Sequence, residues 1–228
     1  KGDYPKAEDL YGYALCIREE IYVSDHPMVL ATKNNIAQVY ASEERYGEAI
    51  SLFETVIREY RENSTEDSAF LAAVYDNLST AYREMERYED AIDICTEGLN
   101  IRKDIYGKRS LDYAISLNNL ALIYYEMGIL NDAADIFSEA LAIKKETLPE
   151  IHGQISIGYF NLGLVYDKLH RDNEALENYR ASMEIDNELE AYEDVLLTAE
   201  YIAEIYERND MPEDAEAYRT LCSKDDVH

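Results

Sequence analysis

A 42-residue period constrains this chain more than any other feature. Ala7, Ala49, Ala91, Ala133 and Ala175 stand 42 residues apart, in "YPKAEDLY", "YGEAISLF", "YEDAIDIC", "LNDAADIF" and "DNEALENY". Tyr40, Tyr82, Tyr124 and Tyr166 keep the same step. In both series the last step shrinks to 40, reaching Tyr206 and Ala215. Two independent markers hold one period and shorten together, so the chain is read as stacked copies of one supersecondary unit.

Each period predicts two helices. In the third, Ile115, Leu117, Leu120, Ala121 and Tyr124 follow helical spacing up to Gly128. Ala133, Ile136, Phe137, Ala140, Leu141 and Ile143 form a second apolar stripe. Gly107 and Gly128 suit C-terminal stops. "TLPE" at Thr147–Glu150 predicts a capping box with Pro149 in the first turn, and "NDMPED" at Asn209–Asp214 predicts another helix start. Links of three to six polar residues, such as "ERYGE" and "ERYED", force antiparallel neighbours. With only 9 Gly and 4 Pro in 228 residues, composition agrees on an all-α protein with a substantial core.

A large residue, Leu-Ala or Leu-Gly, Tyr, a turn, then Ala, an aromatic and a small residue resembles the tetratricopeptide repeat (TPR). Leu117, Leu120, Ala121, Tyr124, Ala133, Phe137 and Ala140 carry the match. The usual repeat is about 34 residues long. The longer period, with "ALCIREE", "GLNIRKD", "ALAIKKE" and "SDHPMV", is similar to the repeats of kinesin light chains and related bacterial proteins. Departures are Cys95 in an aromatic position, a second helix near Val56–Tyr60 without the "ALxI" pattern, and the shortened last repeat. The resemblance implies a right-handed superhelical solenoid of antiparallel helix pairs, about 11 helices in one domain. The expected divisions are a half repeat over 1–24, then pairs over 25–66, 67–108, 109–150, 151–189 and 190–228. The half repeat is a second-type helix, so Leu10, Tyr11, Ala14 and Ile17 would be partly uncovered. The expectation is that the natural protein continues upstream or that this face self-associates.

In the resembled family the first helix of each pair lines a concave surface that holds extended peptides. By that resemblance the Asn before the Leu/Ile of the motif faces the groove: Asn35, Asn77, Asn119 and Asn161, with Tyr201 in the last repeat. A carboxamide both donates and accepts, so it can pair with a peptide main chain of any sequence. The alternative is that each Asn bonds backbone in the neighbouring helix and fixes the stacking. Helical offsets add Asn34, Gln38, Asp76, Thr80, Asn118, Leu122, Tyr125 and Leu164 as flanking candidates. Some family members clamp a terminal carboxylate with Lys and Arg; here those positions hold Asn, Asp, Gln, Thr and Leu, which disfavours such a ligand. The expected activity is protein interaction, with an extended peptide or a partner helix held in this groove. The alternative is a regulatory or sensor segment of a larger signalling or transcription-regulating protein.

Charge narrows the partners. There are 48 acidic and 21 basic residues, a formal net charge of −27, with 18 acidic against 5 basic from Arg171 onward. Such a surface repels nucleic acid and anionic lipid and favours a protein or peptide partner, and it would attract a basic one. No apolar run is long enough to span a bilayer. Cys16, Cys95 and Cys222 form no metal or disulfide pattern, which predicts a cytoplasmic protein with free thiols. His26, His152, His170 and His228 have no patterned partners, and no nucleophile elbow, phosphate loop or HExxH occurs. Neither a catalytic site nor a cofactor or metal site is expected.

Overall fold

The structure, a computed structural model, describes residues 4–63 and 68–223. The division expected between 66 and 67, and His228, lie outside the described residues. Among the described residues there are eleven α-helices and no strand. The first helices of the pairs are α2 (Pro27–Ser42), α4 (Ala69–Glu84), α6 (Leu111–Glu126), α8 (Gly153–Lys168) and α10 (Tyr192–Arg208). The second helices are α1 (Tyr4–Ile21), α3 (Tyr46–Asn63), α5 (Tyr88–Tyr106), α7 (Leu130–Thr147), α9 (Asp172–Glu188) and α11 (Pro212–Ser223). The chain forms two compact units, Lys1–Lys108 with α1–α5 and Arg109–His228 with α6–α11. Within each unit, consecutive helices pack against each other.

The turn inside each pair explains the tyrosine series. Glu44, Glu86, Gly128, His170 and Asp210 all have positive φ, at one position of the repeat. A left-handed non-glycine residue costs roughly 1–2 kcal/mol. The next residue offsets this by donating its backbone N–H five residues back: Arg45 to Tyr40, Arg87 to Tyr82, Ile129 to Tyr124, Arg171 to Tyr166 and Met211 to Tyr206, each at 2.9 Å. This is the bond that closes a Schellman turn. Three of those arginines also lie over the ring of the same tyrosine, at 4.1, 4.4 and 4.6 Å for Arg45, Arg87 and Arg171.

Links between pairs are longer and end on side-chain caps. Ser68 and Ser110 accept from the amides of Leu71 and Tyr113, opening α4 and α6. His26 and His152 accept through Nδ1 from Met28 and Gln154, opening α2 and α8. The predicted capping box at Thr147–Glu150 does not form. Thr147 ends α7 and donates its hydroxyl to the carbonyl of Ile143 at 2.8 Å, and α8 begins only at Gly153. Thr147 has a carbonyl one turn back within reach, so back-bonding won over capping. Pro212 does open α11, as "NDMPED" predicts.

The 40-residue last step has a direct cause. Between α9 and α10 the long link is replaced by a second tight turn, with Glu190 left-handed and Ala191 donating to the Asp186 carbonyl at 2.9 Å.

Phe53 and Phe137 are fully or almost fully buried beside the invariant alanines, each burial contributing about 1.5–3 kcal/mol. At the start, α1 has no buried residue, and Ile17 is 58% exposed where the corresponding Ile101 and Ile143 are 3% and 7% exposed.

Candidate functional site

The recurrent asparagines bond to each other across consecutive first helices. Asn77 on α4 donates Nδ2–H to Oδ1 of Asn34 on α2 at 3.2 Å. Asn161 on α8 donates in the same way to Asn118 on α6 at 3.1 Å. Each pair joins one member of the Asn35/Asn77/Asn119/Asn161 series to one member of the flanking series, 43 residues earlier. Asn34 and Asn161 are buried and Asn77 and Asn118 half-buried. A carboxamide has two donors and two acceptor lone pairs, so one mutual bond leaves capacity on both members.

The other candidates divide by exposure. Gln38 and Thr80 are exposed, and Asn35, Asn119, Leu122, Tyr125 and Leu164 are half-buried. Asp76 is buried and pairs with Arg102 of α5. Tyr125 and Leu164 share a recess of about 340 Å³ with Asp167, Lys168 and Tyr201; the Lys168 ammonium lies 4.5 Å from the Tyr125 ring centroid. Burial raises the Tyr125 phenol above its ordinary range. The structure therefore brings together Asn34 with Asn77, Asn118 with Asn161, and Tyr125 with Leu164. It turns Asp76 toward the second helix.

Between the last two first helices, α8 and α10, both members of the pair change at once. Phe160 stands where Asn34 and Asn118 stand, and Tyr201 where Asn77 and Asn161 stand; their rings meet edge to face at 5.4 Å. Tyr179 lies 5.5 Å from Tyr201 and 5.6 Å from Phe160. Amide meets amide or ring meets ring, which is what a matched contact between neighbouring helices requires.

One cluster lies outside the asparagine series. Asp186 of α9 is 6% exposed and lines a cleft of about 230 Å³ with Ser156 and Phe160 of α8, Ser182 of α9 and Thr198 of α10. The Ser156 and Ser182 hydroxyls are 2.8 Å apart, and Ser182 Oγ lies 3.4 Å from Asp186 Oδ2. The 42-residue step carries the signal for it. Asp186 falls in the series Arg18, Tyr60, Arg102, Lys144, and it alone there is acidic.

Tetratricopeptide-repeat family models match the chain, one over residues 1–62 and 70–146 and another over 158–189. The chain belongs to the tetratricopeptide repeat family. Solved TPR-type structures share its fold at low identity. BtubC (BKLC) from P. vanneervenii is 17% identical with a TM-score of 0.85, over 100% of this chain and 94% of that one. A kinesin-light-chain structure of nearly identical TPR-like repeats from P. anserina is 19% identical with a TM-score of 0.75, over 89% and 99%. The Rap conjugation gene regulator of plasmid pLS20, in complex with the Phr* peptide, is 18% identical with a TM-score of 0.67. That similarity covers 85% of this chain and 52% of the regulator. No curated protein sequence matches this TPR chain.

Proposed function

We propose that this TPR chain is a protein-interaction scaffold whose first helices hold an extended segment of a partner. The observation that carries the reading is the pairing of amides on consecutive first helices. Each pair fixes two carboxamides before any ligand arrives, which lowers the ordering cost of binding. The remaining donors and acceptors suit a peptide main chain, and exposed Gln38 and Thr80 beside them would supply selectivity. The Rap regulator's complex with a peptide supports this use of the fold. It also favours a second reading, a regulatory segment of a longer protein, which a DNA-binding or kinase motif in the flanking sequence would decide.

The test is an array of capped peptides, with the tightest binder titrated against wild type, Asn77→Ala and Asn119→Ala. Each lost hydrogen bond is worth about 1 kcal/mol, so affinity should fall about fivefold per variant. Thermal unfolding measured alongside separates the alternatives. Unchanged affinity together with a marked loss of thermal stability would reduce the asparagines to helix staples.

A further inference from the structure

The cleft at Asp186 departs from the rest of the chain at three positions together. Ser156 replaces Leu30, Ala72 and Ala114; Ser182 replaces Ala14, Val56, Gly98 and Ala140; Asp186 replaces Arg18, Arg102 and Lys144. In the earlier repeat the cation is internal, because Arg102 reaches Asp76 on the adjacent first helix. Here the second helix supplies the carboxylate, and the counterpart of Asp76 is Phe160, which supplies no charge. Asp186 is thus a carboxylate more than nine-tenths buried, with serine hydroxyls beside it and no cation paired to it among the described residues.

Burial lifts the Asp186 carboxyl above the usual carboxylate range, and Asp194 at the same cleft adds to this. The walls are mostly apolar, from Phe160, Leu189 and the exposed side chains of Ile157 and Leu197. A mostly apolar cleft that holds a buried carboxylate fits a long aliphatic stem that carries a compact positive charge. At about 230 Å³ the cleft is smaller than the roughly 300–1,000 Å³ of small-molecule pockets, so it fits one side chain.

We propose that this cleft receives a lysine side chain of the partner segment, its ammonium meeting Asp186 and the Ser156 and Ser182 hydroxyls. Lysine suits it better than arginine because a single deep carboxylate with hydroxyl acceptors serves three tetrahedral donors rather than a planar fork. The inference rests on the peptide-binding reading above and names the chemistry of one subsite.

The probe is n-butylammonium, a lysine side chain without its backbone, titrated into the full chain by NMR. The amide signals of Ser156, Ser182, Asp186 and Thr198 should shift saturably, and n-butanol at the same concentrations should not move them. Asp186→Asn should bind the amine at least tenfold more weakly while melting at the same or a higher temperature, since an uncompensated buried charge is removed. Equal shifts with n-butanol, tighter binding of n-butylguanidinium, or wild-type amine affinity in D186N would overturn the proposal. So would a large drop in the melting temperature of D186N, which would make Asp186 a structural group. Should D186N not fold, exposed Asp194→Asn decides: at least threefold weaker binding is expected, and an unchanged affinity overturns it. If peptides bind through the asparagines but the amine does not, only the lysine cleft falls. If the amine binds and no peptide does, the assignment to a partner's lysine falls together with the peptide reading.

Discussion

Tyr179 and Gly163 form a pair that neither residue explains alone. Tyr179 is fully buried where other repeats have Phe53, Cys95 and Phe137, and its hydroxyl has no hydrogen-bond partner. Gly163 stands where Ala37, Ser79 and Ala121 stand, and a Cβ there would lie 2.5 Å from the Tyr179 ring. The glycine is thus the room that a ring needs to cross α8, and its helix-propensity cost of about 1 kcal/mol accompanies that packing. Gly163→Ala should cost about 1–3 kcal/mol by overpacking, measured by urea unfolding. Tyr179→Phe keeps the ring and removes only the orphaned hydroxyl, so it should be neutral or stabilising by about 1 kcal/mol. A Gly163→Ala loss below about 0.5 kcal/mol would show that the ring shifts freely and that the pair is not coupled.

At the scale of helices, α4 and α5 are joined by a buried ion pair, Asp76 with Arg102, each residue under 10% exposed. Removing one partner leaves a buried charge unpaired, so Arg102→Leu should cost about 3–5 kcal/mol in urea unfolding. Asp76→Leu combined with Arg102→Leu should recover most of that loss, because replacing both charges removes the desolvation as well. Additive losses in the double variant would place the cost in packing of the arginine stem instead. The alternation of first and second helices was legible because the alanine and tyrosine series mark packing and turn positions that every copy shares. The 40-residue step was legible as a contraction, but its cause, a second tight turn at Glu190, was not, because glutamate carries no signal for positive φ. The asparagine contacts were half legible: a repeat shows that a position matters, while the partner of Asn77 is set by how two helices stack. The misplaced start at Thr147 has the same origin, since hydroxyl capping and hydroxyl back-bonding share one sequence signature.

Over the whole chain, charge sets the response to solvent. The excess of 27 negative charges makes the compact state repel itself, and that repulsion acts over distances that salt screens. The opposing term is the set of exposed ion pairs, such as Arg45 with Glu48, Arg87 with Asp90 and Arg171 with Glu174, which salt weakens. Exposed pairs of this kind contribute only about 0–1 kcal/mol each and are local. The uncompensated carboxylates are far more numerous, and the screening length falls from about 30 Å at 0.01 M salt to about 8 Å at 0.15 M. Relief of repulsion should therefore win. Raising sodium chloride from 10 to about 150 mM should stabilise the fold by about 1 kcal/mol, or about 2–4 °C in melting temperature for a chain of this size. A melting temperature that falls across the same range would mean that the ion pairs at the turns outweigh the net charge.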